Sequence, residues 1–511
     1  MFAQKEVLKV VVWTIVILGN TAGWLRGAPG FSPANECALC HSWPGVLTKA
    51  PGHSVSWKSS MMASAGIDPY WEAQVRRESA ASGTLVEDKC LRCHSAADQY
   101  GRRSSGAKMR LTERTDLGRE GVTCTVCHRI EPRTLGTEAT FTGGFTIASE
   151  PVIYGPHEKP FAMPMLHHTD LEPRASRHIL DSALCGSCHT LLLSDAAGKP
   201  FFAEQATYLE WRASAWPSRN VSCQTCHVPQ LREASGELAP EYIAQRPGGG
   251  AFPPTRPRTP VGQHTFIGAN VQMLRTLAAT VPNVDYSSRA AATEKFLASA
   301  LSFEVTPGPT SIRVKVNNHT GHKLPTGLPV RRLWLHVTIR DTAGKAIFES
   351  GNWDPITGAL RSASRYEPHR NEITDPKQTM VYEAVMETAS GELASAFTQA
   401  VRFRKDNRIL PAGFQAGQWT AAAGVDGDSD FLPGSDTVVY RLPHLGSAAY
   451  STTVEACYQS IRPEDSAGLT TYREPVVIGR VDVRHSSSPQ ALREKPSGNA
   501  GSAHQRGDSA H

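Results

Sequence analysis

The sequence predicts an α + β chain of several domains: a loop-rich, mainly helical half followed by an antiparallel β-sandwich-like half. Three observations carry that expectation. Ten of the eleven cysteines fall between Cys37 and Cys226 in five groups of one spacing, in a stretch rich in Gly and Pro with weak apolar periodicity. After Leu301 the pattern changes to short alternating runs separated by turn residues. The chain has 511 residues but only 7% aromatics, little for a large core made of side chains alone.

The five groups are Cys37-x-x-Cys40-His41, Cys90-x-x-Cys93-His94, Cys124-x-x-Cys127-His128, Cys185-x-x-Cys188-His189 and Cys223-x-x-Cys226-His227. Cys-x-x-Cys-His is the attachment signature of a c-type haem. The spacing has a chemical reason. Two thiols three residues apart can add to the two vinyl groups on one porphyrin edge, and the imidazole that follows then binds the iron from one side. Zinc accepts Cys-x-x-Cys but has no need of His at the next position every time. Chance gives roughly 0.01 such motifs in this length, so zinc ribbons and disulfides are set aside. The first half is thus expected to be a pentahaem c-type cytochrome domain with five covalent haems c, whose porphyrins supply apolar surface. The second and third motifs are close in sequence, as are the fourth and fifth, which predicts two haem pairs and one leading haem.

The formal charge is +5. Ten propionates would bring it to about −5 with the irons reduced, and ferric iron returns it to about zero. The apparent basicity is therefore no argument for a nucleic-acid partner, and none is expected.

Residues 1–28 read as a signal peptide or an uncleaved N-terminal anchor: Lys5 and Lys9 precede an uncharged run, Val10 to Leu25, that is short for a membrane span. Either reading exports the chain, to the periplasm or the outer face of a bacterial inner membrane, with membrane association possible through the N-terminus. The haem domain is expected over 29–270, with a helix after the Asp68-Pro69 turn and an extended loop over the Pro-, Gly- and Arg-rich 240–262. Residues 271–301 read as a helical connector interrupted near Pro282.

The β domain is expected over 302–485, with strands at Ile312–Val316, Arg332–Arg340, Met380–Glu387, Phe397–Phe403, Thr437–Leu442 and Tyr450–Gln459. In Arg332–Arg340, Leu333, Leu335, Val337 and Ile339 alternate with Arg332, Trp334, His336, Thr338 and Arg340, the pattern of a half-buried strand. Residues 486–511 have no apolar period and read as a disordered tail.

The occupant of each iron's sixth position decides function: a second His gives a low-potential carrier, Met raises the potential, and an empty site permits catalysis. Outside the motifs the haem half offers His53, His157, His167, His168, His178 and His264. His178 precedes the fourth motif in a stretch that reads as a helix start; His157 and His264 stand at loop ends. His167 and His168 are adjacent, so one of them, His168, is the candidate. His53 is weaker. Met62 lies beside the first motif and is a candidate sulfur ligand. For each of these, a surface or packing role is the alternative. Asp426, Asp428 and Asp430 suggest a cation loop, but Phe431 and Thr437 stand where an EF-hand needs Gly and Glu, so a solvated turn is expected. Cys457 reads as a buried free thiol.

The stretches WKSSMMASAGIDPYW, GVTCTVCH, YGPHEKPF, SALCGSCH, TYLEWRAS, VSCQTCHVP and HTFIGAN resemble multihaem c-type cytochromes related to the nitrifier tetrahaem electron carrier and the octahaem hydroxylamine oxidoreductases. In that group Trp-x-x-Ser-x-His often supplies a distal His; here Met62 stands in its place, counted from Trp57. NNHTGHKLPTG, RRLWLHV, RYEPHR, RKDNRILPAGF and DGDSDFLPGSDTVVY resemble the C-terminal part of some bacterial multihaem cytochromes. Within these, His322 or His369 is a candidate to cap a haem at the domain interface, with turn stabilisation as the alternative.

The expected function is single-electron transfer between a membrane donor, a quinol-oxidising or other cytochrome, and a periplasmic or surface acceptor. The β domain is expected to be a docking or assembly module. The rival is an oxidoreductase acting on a small nitrogen or sulfur compound at a five-coordinate haem.

Overall fold

The computed structural model describes residues 30–486, apart from 83–84, 196, 362–365, 443–447 and 470–472. The expected signal or anchor segment and the tail after Ser486 lie outside the described residues. Among the described residues no helix is long and apolar enough to cross a membrane.

The first half is built of short helices joined by loops. They are α1 (Ala34–His41), α2 (His53–Lys58), α3 (Pro69–Ser82), α4 (Leu85–His94), α5 (Ala96–Ser104), α6 (Asp116–Arg119), α7 (Cys124–His128), α8 (Met163–Thr169), α9 (Ser182–Gly186), α10 (Thr207–Arg212) and α11 (Cys223–His227). Two small sheets interrupt them: parallel β1 (Val152–Gly155) with β2 (Glu172–Ala175), and antiparallel β3 (Leu191–Ser194) with β4 (Pro200–Gln205). The turn at Asp68-Pro69 starts a helix for a local reason. Pro69 needs no hydrogen bond at the first helical position, and Asp68 Oδ1 accepts from the amides of Tyr70 (2.9 Å) and Trp71 (3.1 Å). Apolar clusters in this half are small and separate, such as Phe31, Val122, Val126 and Phe145 or Trp71, Val75, Leu91 and Met109.

The connector is two helices, α12 (Val271–Thr280) and α13 (Tyr286–Leu297), broken around Pro282. The second half holds β5 (Leu301–Pro307), β6 (Ser311–Asn318), β7 (Arg332–Arg340), β8 (Ala346–Ser350), β9 (Glu372–Ile373), β10 (Val381–Glu387), β11 (Arg402–Asp406), β12 (Ser435–Arg441), β13 (Tyr450–Gln459) and β14 (Val476–His485). One sheet runs β11-β10-β7-β13-β14 with β8 also on β7; the other runs β5-β6-β12-β9. Pairing is antiparallel except between β9 and β12. The two sheets face each other across one core of Ile312, Val314, Val316, Leu333, Leu335, Val337, Ile339, Val438, Tyr440, Val454 and Tyr458, a sandwich arrangement.

Two strand expectations change. β7 is not half-buried: Trp334 is 0% exposed and Thr338 only 6%. It lies inside its sheet, and loops cover its outer face. Trp334 Nε1 donates to Gly351 O (2.9 Å), and Arg332 Nε donates to Gln459 Oε1 (2.8 Å). Phe397–Phe403 is not one strand. Phe397–Gln399 is a 3₁₀ turn, held by Glu78 of α3, whose carboxylate accepts from the amides of Phe397 (2.8 Å) and Thr398 (3.0 Å). The strand begins only at Arg402.

Candidate haem-binding centre

Four of the five motif histidines close a short helix: His41 on α1, His94 on α4, His128 on α7 and His227 on α11. In the fourth motif Cys185 lies in α9, with Cys188 and His189 in the turn that follows. All ten motif thiols are free, not joined in disulfides. Among the described residues, the metal-sized group of His, Cys, Asp and Glu is His369, Asp428 and Asp436, which contains no motif residue.

The thiols meet across motifs. Cys37 hydrogen-bonds Cys124, Cys93 hydrogen-bonds Cys188, and Cys185 hydrogen-bonds Cys223. Burial pushes Cys127 up to about 12, with Cys124 adding to it. The fourth and fifth motifs thus adjoin, as chain distance suggests. The second motif, however, adjoins the fourth, and the third adjoins the first. The expected second-third pair is corrected: α7 packs on α1 and turns Cys124 toward Cys37, so tertiary packing overrides proximity in the chain.

Four of the five motif imidazoles are oriented through Nδ1. His41 Nδ1 donates to Ile243 O (2.9 Å), His94 to Ala65 O (3.0 Å), His128 to Tyr154 O (2.6 Å) and His227 to Ile267 O (2.5 Å). A carbonyl only accepts, so Nδ1 carries the ring's single proton and Nε2 keeps its lone pair. That is the tautomer an iron ligand needs, with the outer hydrogen bond fixing the ring. Burial keeps these rings neutral, holding His94 and His189 at about 4. His189 is the exception: its Nδ1 lies 3.3 Å from Gln205 Nε2, an amide nitrogen that donates, so Nδ1 accepts there and the carbonyl pattern is not repeated.

The carbonyl partners come from far along the chain. Ile243 is held by Glu241, whose carboxylate accepts from the amides of Leu47 and Thr48, so the expected loop 240–262 folds back onto the first motif. It does so through bridges such as Glu241 to Arg258 rather than lying extended.

Three further imidazoles stand opposite motif imidazoles. His53 lies 6.1 Å from His41, His264 lies 6.0 Å from His128, and His322 lies 6.4 Å from His227, measured between ring centroids. A metal-bound imidazole nitrogen sits about 2 Å from the metal and about 1.1 Å from its own ring centre, so two imidazoles on one metal have centroids roughly 6 Å apart. All three separations fit that spacing, and so the donor set fits haem. His264 Nδ1 donates to Gly262 O (3.1 Å) and His322 Nδ1 to Lys323 O (2.9 Å), repeating the pattern of the motif rings. Burial and the neighbouring rings of His264 and His41 hold His53 well below its ordinary value.

The other candidates are placed differently. His178 has Nδ1 2.6 Å from Ser176 Oγ and Nε2 2.9 Å from Ile130 O, so both nitrogens are engaged by protein. It does not start a helix into the fourth motif. Arg177–Leu180 is a 3₁₀ turn, and Asp181 begins a new helix by accepting from the Ala183 amide (2.9 Å). His168 is exposed, with Nε2 3.2 Å from Glu36 O. His157 is half-buried near His53. Met62 packs against the cluster of Phe31, Val122 and Val126, which Cys127 and Cys188 also border. His94 instead meets Trp71, stacked at 4.4 Å and 4°.

His369 meets no motif imidazole among the described residues. Its Nε2 lies 2.6 Å from Asp428 Oδ2, and its Nδ1 accepts from Asn407 Nδ2 (3.1 Å). Asn407 is itself fixed, its Oδ1 accepting from the Glu383 amide and its Nδ2 donating to Val381 O. The ring proton therefore sits on Nε2 and is donated to Asp428, which leaves no lone pair there for a cation. The expected solvated turn at 426–430 is thus partly a buried polar network. Cys457 is buried on β13, as a packing thiol should be.

No family model matches the chain, and no curated protein matches it. Among solved structures, the chain is similar to a penta-haem cytochrome c552 from Thermochromatium tepidum, at 17% identity and a TM-score of 0.55, covering 89% of this chain and 99% of that one. The likeness extends beyond the haem half into the β half, since 89% of the chain exceeds either half. The chain has the fold of a multihaem cytochrome.

Proposed function

We propose that the chain is an exported c-type cytochrome that carries five covalent haems and passes single electrons between a membrane donor and a periplasmic or surface acceptor. The observation that carries this reading is the orientation of four motif imidazoles, His41, His94, His128 and His227, each donating Nδ1 to a backbone carbonyl. Haem bound at each motif supplies a one-electron couple. The chain's residues hold the rings, keep them neutral and bring the attachment edges of neighbouring motifs together, which favours transfer from site to site. His53 and His264 are the proposed sixth ligands opposite His41 and His128. The relation to nitrifier multihaem cytochromes belongs to this reading and rests on the quoted motifs. Donors of the quinol-oxidising or cytochrome kind suit it. The test is rapid mixing: the fully reduced protein should hand electrons to a small oxidised redox protein in one fast phase covering all haems. Electrons that stay trapped on most haems would argue against a carrier.

One observation favours the rival reading of catalysis on a small nitrogen or sulfur compound. Among the described residues no imidazole stands opposite His94 or His189 at the spacing of the other three pairs. A high-spin ferric signal that responds to such a compound in the whole protein would support it; low-spin signals alone would remove it.

A further inference from the structure

We propose that His322, a residue of the β half, is the sixth iron ligand of the haem attached at Cys223 and Cys226. The inference rests on the haem reading above and changes the role of the β half from docking module to ligand donor.

The geometry is specific to one motif. His322 faces His227 with ring planes 14° from parallel and centroids 6.4 Å apart. Its Nδ1 donates to Lys323 O, so Nε2 keeps its lone pair, and among the described residues no hydrogen bond to Nε2 is found. A histidine placed only to stabilise its turn has no need to face a motif imidazole.

The loop between β6 and β7 that carries His322 is fixed from several sides. Asn318 Nδ2 donates to His322 O (2.9 Å) and to Ile409 O (2.9 Å), and Thr320 Oγ1 donates to His322 O (2.8 Å). A side chain at Gly321 would come within 3.2 Å of Trp211 Cδ1, so a residue with no Cβ lets the loop lie against α10. Lys323 is buried, with Nζ 2.6 Å from Asp406 Oδ2.

The anchor for all of this is Glu210 of α10, between the fourth and fifth motifs. Its carboxylate accepts from the Lys323 amide (3.2 Å) and the Thr326 hydroxyl (2.5 Å), and it pairs with Arg408 (3.0 Å). Glu210 is 0% exposed. A buried carboxylate with this many partners from the β half fixes the position of that half's ligand loop. Trp211, next to Glu210, donates Nε1 to Val221 O (2.9 Å), so the ligand loop and the segment leading into the fifth motif are both tied to α10.

The test uses the full chain carrying His322→Gly, with His319→Gly as control. His319 lies in the same loop, but its Nε2 is 2.7 Å from Ser302 Oγ and it meets no motif imidazole. Haem is counted by pyridine haemochrome, and spin state is read by EPR and resonance Raman, with and without added imidazole. The expected result is an unchanged haem count with about one haem in five turned high-spin, returned to low-spin by imidazole, in His322→Gly alone. An unchanged count with unchanged spin state overturns the assignment. A parent without covalent haem overturns the haem reading itself, which the count distinguishes. If His322→Gly does not accumulate, His322→Met replaces it: one haem should rise in potential while the others hold, and five unmoved potentials overturn the proposal.

Discussion

The imidazoles of His128 and His264 lie 6.0 Å apart with their planes 18° from parallel, although the two residues are 136 positions apart in the chain. Each ring has its Nδ1 on a backbone carbonyl, Tyr154 O for one and Gly262 O for the other. Two loops distant in sequence therefore bring together two imidazoles that each keep Nε2 unprotonated. His264→Ala should leave the haem count intact and convert one haem to high-spin, whereas His178→Ala should change no spin state because its ring nitrogens are already bound to protein. EPR of the two variants beside the parent checks this; a spin change in His178→Ala instead would reverse the assignment.

Met62 tests the sulfur alternative. A thioether favours ferrous iron more than imidazole does, so a Met-ligated haem would have the highest potential. If Met62 is a ligand, Met62→His lowers one potential and removes any near-infrared sulfur-to-iron band, and Met62→Leu also alters the titration. Its placement in an apolar cluster favours packing, so the expected outcome for Met62→Leu is five unmoved potentials and a small loss of stability, of about 1 kcal/mol for a volume-conserving swap. Redox titration with a thermal melt decides.

Asp406 sets an acid limit on the junction of the two halves. Arg408 and Lys323 hold its carboxyl down at about 2 against the cost of burial. Its folded pKa is depressed, so its contribution to stability is present above the ordinary carboxylate value near 3.8 and is lost as pH falls through about 2. Asp406→Asn leaves Lys323 and Arg408 buried without their shared counter-charge and should cost about 3–5 kcal/mol near neutral pH. Melts from pH 5 to 2 should fall more steeply for the parent than for the variant. Parallel curves would show that the pair is not coupled to folding.

Asp436 acts in the opposite direction. Burial raises its carboxyl to about 7, even though Tyr382 donates a 2.7 Å hydrogen bond to it. A raised folded pKa means that the folded state holds the proton more tightly, so stability is fullest below about 3.8 and is lost as pH rises to about 7. Asp436→Asn, which keeps the shape and cannot ionise, should flatten the melting temperature between pH 5 and 8. A parent-like slope in the variant would assign that pH dependence to another group.

What could be read from the sequence follows how local each determinant is. The five Cys-x-x-Cys-His motifs were legible because their signal is a spacing within five residues. The alternating runs of β6, β12 and β13 were legible because one sandwich face is apolar. The facing histidines were not, because opposition is a tertiary fact. Neighbouring residues alone favour His178 over His53, yet the fold sets His53 against His41 and ties His178 to Ile130. β7 read as half-buried because its outer face carries Arg332, Trp334 and His336, and only the neighbouring β13 and the turn after β8 reveal that their polar atoms are satisfied by protein. His322 was visible in its motif, but the motif it serves lies about 95 residues upstream, a pairing that no spacing rule encodes.

The most direct test of the account is haem stoichiometry. The full chain, produced in a bacterium with competent haem-attachment machinery, should carry five covalent haems by pyridine haemochrome, and its intact mass should equal the polypeptide plus five haems. Three or fewer, with unmodified Cys-x-x-Cys-His motifs located by peptide mass, would contradict it.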